Sequence, residues 1–118
     1  MSIEIKRIDV KADSSRIATF EHIAWFTGHV SAKKEETLCA QTASVLARFD
    51  ELFGLHGLRK ENVLHCTAYV RDIQEMPGFF ESWNAWVDRS NPPAVVFAQA
   101  PTGGADYQLE LSFLVAEM

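Results

Sequence analysis

Long apolar runs are missing from this sequence. None approaches the length needed to cross a bilayer. The opening stretch MSIEIKRIDVKADSS lacks the apolar segment of a secretory signal. Both absences lead to the expectation of a cytoplasmic protein with no membrane partner. Cysteine is scarce: only Cys39 and Cys66 occur, far apart and without metal-type spacing. They read as buried free thiols of a reducing compartment. Basic residues are outnumbered, 11 Lys and Arg against 16 Asp and Glu, for a net charge of -5. The pairs Lys6-Arg7, Lys33-Lys34 and Arg59-Lys60 are scattered and not interleaved with aromatics. A nucleic-acid partner, which needs a basic face, is not expected. There is no GxSxG, P-loop or GxGxxG, and Gly103-Gly104 is too short for a phosphate loop. The four histidines, His22, His29, His56 and His65, show no HxH or HxxxH spacing, so no metal site is expected.

What is present is the composition of an ordinary globule, 47% hydrophobic and 23% charged. A chain of 118 residues fits one domain, 1–118, able to bury a core without disulfides. IEIKRIDV reads as a strand with a slip near Lys6-Arg7. SSRIATF and HIAWFTGHV read as a hairpin turning at Glu21-His22. Gly28 inside the second run suggests a bulge or a close backbone approach. Leu38, Val45, Leu46, Phe49, Leu52 and Phe53 recur at helical spacing within 35–56, and Gly57 suits the left-handed end of that helix. Gln41, Ser44, Arg48 and Glu51 lie mostly off this stripe. NVLHCTAYVRD is a strand. A second helix lies within 76–88, with Pro77 in its first turn. AVVFAQA and YQLELSFLVA are strands, the latter with clear alternation.

This order predicts an α+β fold in which two helices cover one face of a mixed sheet. Because VLHCTAYV and AVVFA are apolar on both faces, the uncovered face needs a partner, and a homo-oligomer with sheet-to-sheet packing is expected. Among candidate chemical groups, His56 fits a helix C-terminus, and His22 fits the hairpin turn. His65 is read as core or interface, or as part of a pocket. His29, after Gly28, is core or pocket lining. Glu110 is either solvated, paired across an interface, or a general acid/base.

FTGHV (26–30), QTASVLARFDELF (41–53), GLRKENVLHCTAYVRDI (57–73), FFESWNAWVDRSNPPA (79–94) and LELSFLVA (109–116) together resemble the RidA/YjgF family, whose older name is L-PSP endoribonuclease. The resemblance implies a chorismate-mutase-like fold, a homotrimer with a barrel of packed sheets, an intersubunit cleft for a small-molecule ligand, and no cofactor. It implies imine and enamine hydrolysis, a deaminase-type hydrolase chemistry. The family clamps a substrate carboxylate with an arginine after the PPA segment and handles water with a glutamate of the last strand. Glu110 matches that glutamate, and Gly28 the turn glycine. Thr27 stands for a serine, and His29 for a glutamine. The family tyrosine falls near Ser14, and the arginine position is Val95.

Valine has no donor for a carboxylate. The expectation is therefore a Rid-family protein acting on an imine or enamine other than 2-aminoacrylate, or a non-catalytic binder. Glu110 and His29 are the catalytic candidates. Thr27, Gly28, Val95 and His65 are the substrate-binding candidates. Such a cleft is expected to be apolar and to suit a neutral or aromatic ligand, unless Arg16 or Lys33 of a neighbouring subunit reaches in. A ribonuclease is opposed by the acidic charge.

Overall fold

The computed structural model describes residues 4–31, 37–102, 104 and 106–118. Six strands and two α-helices follow one another as β1 (Ile5–Val10), β2 (Ser15–Phe20), β3 (Ile23–His29), α1 (Leu38–Leu55), β4 (Val63–Val70), α2 (Met76–Trp86), β5 (Ala94–Gln99) and β6 (Leu109–Ala116). The sheet order is β1-β2-β3-β6-β4-β5. All pairs are antiparallel except β4 with β5, which α2 connects as a parallel crossover. No helix of the described residues is long and apolar enough to cross a membrane.

Helix α1 starts where Thr37 accepts a hydrogen bond from the Ala40 N–H, 3.1 Å. It ends where Gly57 adopts φ +66° and the Leu58 N–H reaches back to the Phe53 carbonyl. Pro77 sits in the first turn of α2. Both helices lie on the same face of the sheet and meet over Phe113. That ring makes edge contact with Phe49 and Phe53 from α1, and stacks with Trp83 from α2 at an interplanar angle of 12°. Leu109, Leu111 and Val115 lie on the same face of β6 as Phe113, all essentially free of solvent. Trp83 is core, while Trp86 is half-buried and donates its indole N–H to Asp50.

The opposite face of the sheet is open. Trp25, Leu64, Tyr69 and Val96 each expose more than a third of their surface there. The molecule is only 22 Å thick, room for one sheet and one helix layer.

Two backbone details differ from the sequence reading or refine it. β1 pairs with β2 in constant register from Ile5 to Val10, with no slip near Lys6-Arg7. The irregularity lies instead at Asp9, which takes φ 56°. The Glu21-His22 turn is present, with φ 56° at Glu21 alone. A positive φ at the first central residue only is the type II′ pattern, which glycine favours.

Candidate functional site

β3 carries Thr27, Gly28 and His29, and its pairing with β6 explains how they are displayed. Ile23 to Phe26 pair with Ala116 to Phe113, but His29 pairs with Leu111. One extra residue is therefore inserted in β3 opposite Ser112. This bulge reverses the alternation of the strand. Thr27 is exposed, Gly28 presents its missing Cβ to the open face, and His29 turns to the helix-covered face. Its ring meets Phe49 at 4.8 Å between centroids.

Gly28 is both the bulge and the close approach that the sequence suggested. A Cβ there would meet the Glu110 carboxylate, whose Oε2 lies 2.2 Å from the position it would take. Glu110 thus fills the space a side chain would occupy. It projects from the open face of β6, half-buried. No hydrogen bond or ion pair to another described residue holds it.

His29 is 5% exposed. Its Nδ1–H donates to the Thr27 carbonyl at 2.8 Å, which leaves Nε2 as the acceptor, and Nε2 has no partner among the described residues. The His29 pKa lies below the ordinary 6.5, mainly because burial disfavours the imidazolium. The Thr27 carbonyl opposes that shift, and the charges of Arg16 and Arg48 add to it. The ring is neutral at pH 7.

A cavity of about 520 Å³ opens beside Thr27, Gly28 and His29. Its far walls come from the β1–β2 turn and the start of β2, through Lys11 and Arg16, and from α1, through Ser44 and Arg48. Ser31 donates to Ser44 across it at 3.2 Å. Tyr107 closes one side. The buried Gln41 amide holds this tyrosine's loop: its NH₂ donates to the Asp106 carbonyl at 2.8 Å, and its oxygen accepts from the Gln108 N–H at 2.7 Å. Thr102 donates to the Tyr107 carbonyl from the other side of the loop.

The apolar cleft was expected between subunits, around Val95, His65 and Glu110; this cavity lies within one chain, is lined by none of those three, and carries three cations and no carboxylate among its described lining residues. The available signal was the polar stripe Gln41, Ser44 and Arg48, spaced by three and four along α1 like the apolar one. Ser14, the mismatch at the tyrosine position, lines the cavity, and the tyrosine present is Tyr107. Arg16 lies in the same chain as His29. Lys33 lies outside the described residues.

The remaining candidates sit apart within one chain. His65 is half-buried and pairs with Leu114 of β6 and Ala94 of β5. Glu110 pairs with Tyr69, four residues further along β4, about 13 Å away. Val95 pairs with Cys66 and packs, half-buried, against the core on the helix-covered face. His29 and Glu110 project to opposite faces of the sheet. Cys66 is fully buried, which pushes its thiol pKa far up, and Cys39 is half-buried against Ser82.

The fold and sequence have relatives. A RutC family protein of Haemophilus influenzae is 27% identical over 108 residues, spanning 91% of this chain and 93% of that one. The RutC family protein YoaB of Escherichia coli is 27% identical over 112 residues, 95% of this chain and 97% of that one. A crystal structure of a YjgF family member from Neisseria meningitidis superposes with TM-score 0.92 at 24% identity, covering 98% and 97% of the two chains. A yjgF family protein of Streptococcus pyogenes superposes with TM-score 0.82 at 16% identity, covering 99% and 98%. The family model described as endoribonuclease L-PSP matches residues 4–117, nearly the whole chain, and with these relatives it shows that the chain belongs to the RidA/YjgF family.

Proposed function

We propose that this chain assembles as a homotrimer whose intersubunit cleft takes a small metabolite, and that it hydrolyses an imine or enamine other than 2-aminoacrylate. The observation that carries the reading is the Glu110 carboxylate lodged over Gly28, half-buried and without a partner among the described residues. A carboxylate in that state can accept a proton from water as it attacks a C=N carbon. When that carbon belongs to a protonated C=N group the product is a neutral carbinolamine. Glu110 then returns its proton to the nitrogen, which departs as ammonia, and the free carboxylate takes the hydroxyl proton as the C=O bond forms. Thr27 and the Gly28 backbone line the substrate's path, while His29, on the other face of the sheet, does not reach Glu110.

The open face supplies the argument for assembly. Trp25, Leu64 and Val96 are large apolar groups on a surface that no element of the described residues covers. Packing the sheets of three copies buries them. It also lets His65 approach a neighbour's Glu110, which it does not approach in its own chain. Valine at 95 provides no guanidinium, which argues against 2-aminoacrylate as substrate.

Ammonia release from a panel of freshly generated imines tests the catalytic reading. Turnover that falls at least a hundredfold in Glu110→Gln supports it. The non-catalytic binder is favoured by one observation, the placement of His29 and Glu110 on opposite faces of the sheet. Saturable binding with no turnover of any imine selects it. Sedimentation at three times the 13.3 kDa of the chain tests the trimer.

A further inference from the structure

The cavity between the β1–β2 turn and α1 has features that imine hydrolysis does not use. Three cationic side chains, Lys11, Arg16 and Arg48, contribute to its wall. They stand among the hydroxyls of Ser15, Ser31 and Ser44. Each arginine has a carboxylate neighbour outside the cavity: Arg16 meets Asp9 at 3.3 Å, and Arg48 meets Glu51 at 3.1 Å. Both pairs are solvent-exposed, and exposed ion pairs contribute little, so a ligand oxyanion exchanges for either at small cost. Beside them is His29, buried, with its one acceptor nitrogen unsatisfied among the described residues. An unsatisfied buried acceptor costs free energy until a donor reaches it.

We propose that this cavity binds a small oxyanion that carries a hydroxyl or amino donor close to its charged end. Arg16 and Arg48 hold the anion, Lys11 adds charge, and His29 Nε2 accepts from the donor. The chain thus has a cationic site built from its own β1–β2 turn, the start of β2 and the first helix, while position 95 holds valine. Guanidinium groups approaching from two elements match a carboxylate or a phosphate by paired N–H donation. The volume of about 520 Å³ accommodates a ligand larger than the anion alone. This assignment rests on the reading that Thr27, Gly28 and His29 face a ligand, but it is independent of turnover.

Calorimetry with glycerate, propanoate, glyceramide and inorganic phosphate tests it on the full chain. Glycerate is expected to bind, to bind more tightly than glyceramide or propanoate, and to weaken as salt rises. The variant Arg16→Gln/Arg48→Gln, at exposed positions and with melting unchanged, is expected to weaken glycerate at least tenfold, the least that losing charge-assisted hydrogen bonds implies. The ¹⁵N resonance of His29 Nε2 is expected to shift with glycerate and not with propanoate. Phosphate binding as tightly as glycerate would assign the site to phosphorylated ligands. Glycerate binding tighter would assign it to carboxylates.

Equal affinity for glycerate and glyceramide, or no loss in the double variant, overturns the anion site. Equal resonance shifts with glycerate and propanoate overturn the role of His29. The two readings fail separately. Imine turnover that depends on Glu110 but is indifferent to Arg16 and Arg48, with no glycerate binding, would leave the hydrolase standing and remove the anion site. Glycerate binding without imine turnover would do the reverse.

Discussion

The two faces of β6 run along one strand and have opposite fates. Leu109, Leu111, Phe113 and Val115 are sealed under the helices, while Glu110, Ser112 and Leu114 are half-buried on a face that no element of the described residues covers. The first set makes the fold, through aromatic contacts that bring both helices to one ring. The second set holds the unpartnered carboxylate and the surface available to other copies. Side chains one residue apart therefore answer to different demands: mutual packing on one face, and a neighbour or a ligand on the other.

The comparison breaks most visibly at Phe113. Phe113→Ala removes the ring that α1 and α2 share, and should cost about 3–5 kcal/mol in a denaturant titration. On the open face, Trp25→Asp should change the stability of the isolated chain by less than about 1 kcal/mol, since Trp25 is 41% exposed. It should nevertheless lower the sedimenting mass toward that of one chain, because a charge is placed where sheets would pack. A loss of stability equal to that of Phe113→Ala would mean that the open face is part of the fold.

A third prediction concerns His29, which the bulge moved from one face to the other. Protonating it costs more in the folded chain than in the unfolded one, because burial lowers its pKa from 6.5. Stability should therefore rise with pH from the lowered folded value up to 6.5, and this contribution should be complete above that. In His29→Gln the slope in that window should shrink, as read from thermal melts across pH 4–8. The smallest effect is expected at the Glu21-His22 turn. Glu21→Gly relieves a positive φ and should stabilise by roughly 0.5–1 kcal/mol, measured as a raised urea midpoint.

Much of this architecture was legible in the sequence where a local rule decides the outcome. The stripe from Leu38 to Phe53 gave the first helix, Gly57 its end, Glu21-His22 the hairpin, and the alternation of LELSFLVA the two faces of β6. The candidate site was harder to read because side-chain direction there depends on pairing between distant segments. Gly28 signalled a bulge, yet only the shift against β6 shows that His29 and Glu110 part to opposite faces. Val95 reads as a site position by resemblance, but its parallel register with Cys66 puts it against the core. Arg16 and Arg48 are 32 positions apart, and no spacing rule joins a turn of the sheet to a helix that passes behind it.

The grip of Gln41 on the carbonyl of Asp106 and the N–H of Gln108 has a consequence for what this loop tolerates. One side chain fixes the chain's entry into β6 at two successive peptide groups. The register that aims Glu110 is set there, before the strand begins. Gln41 is thus a fixed joint: a disturbance arising ahead of Asp106 meets it before it can shift the last strand out of frame.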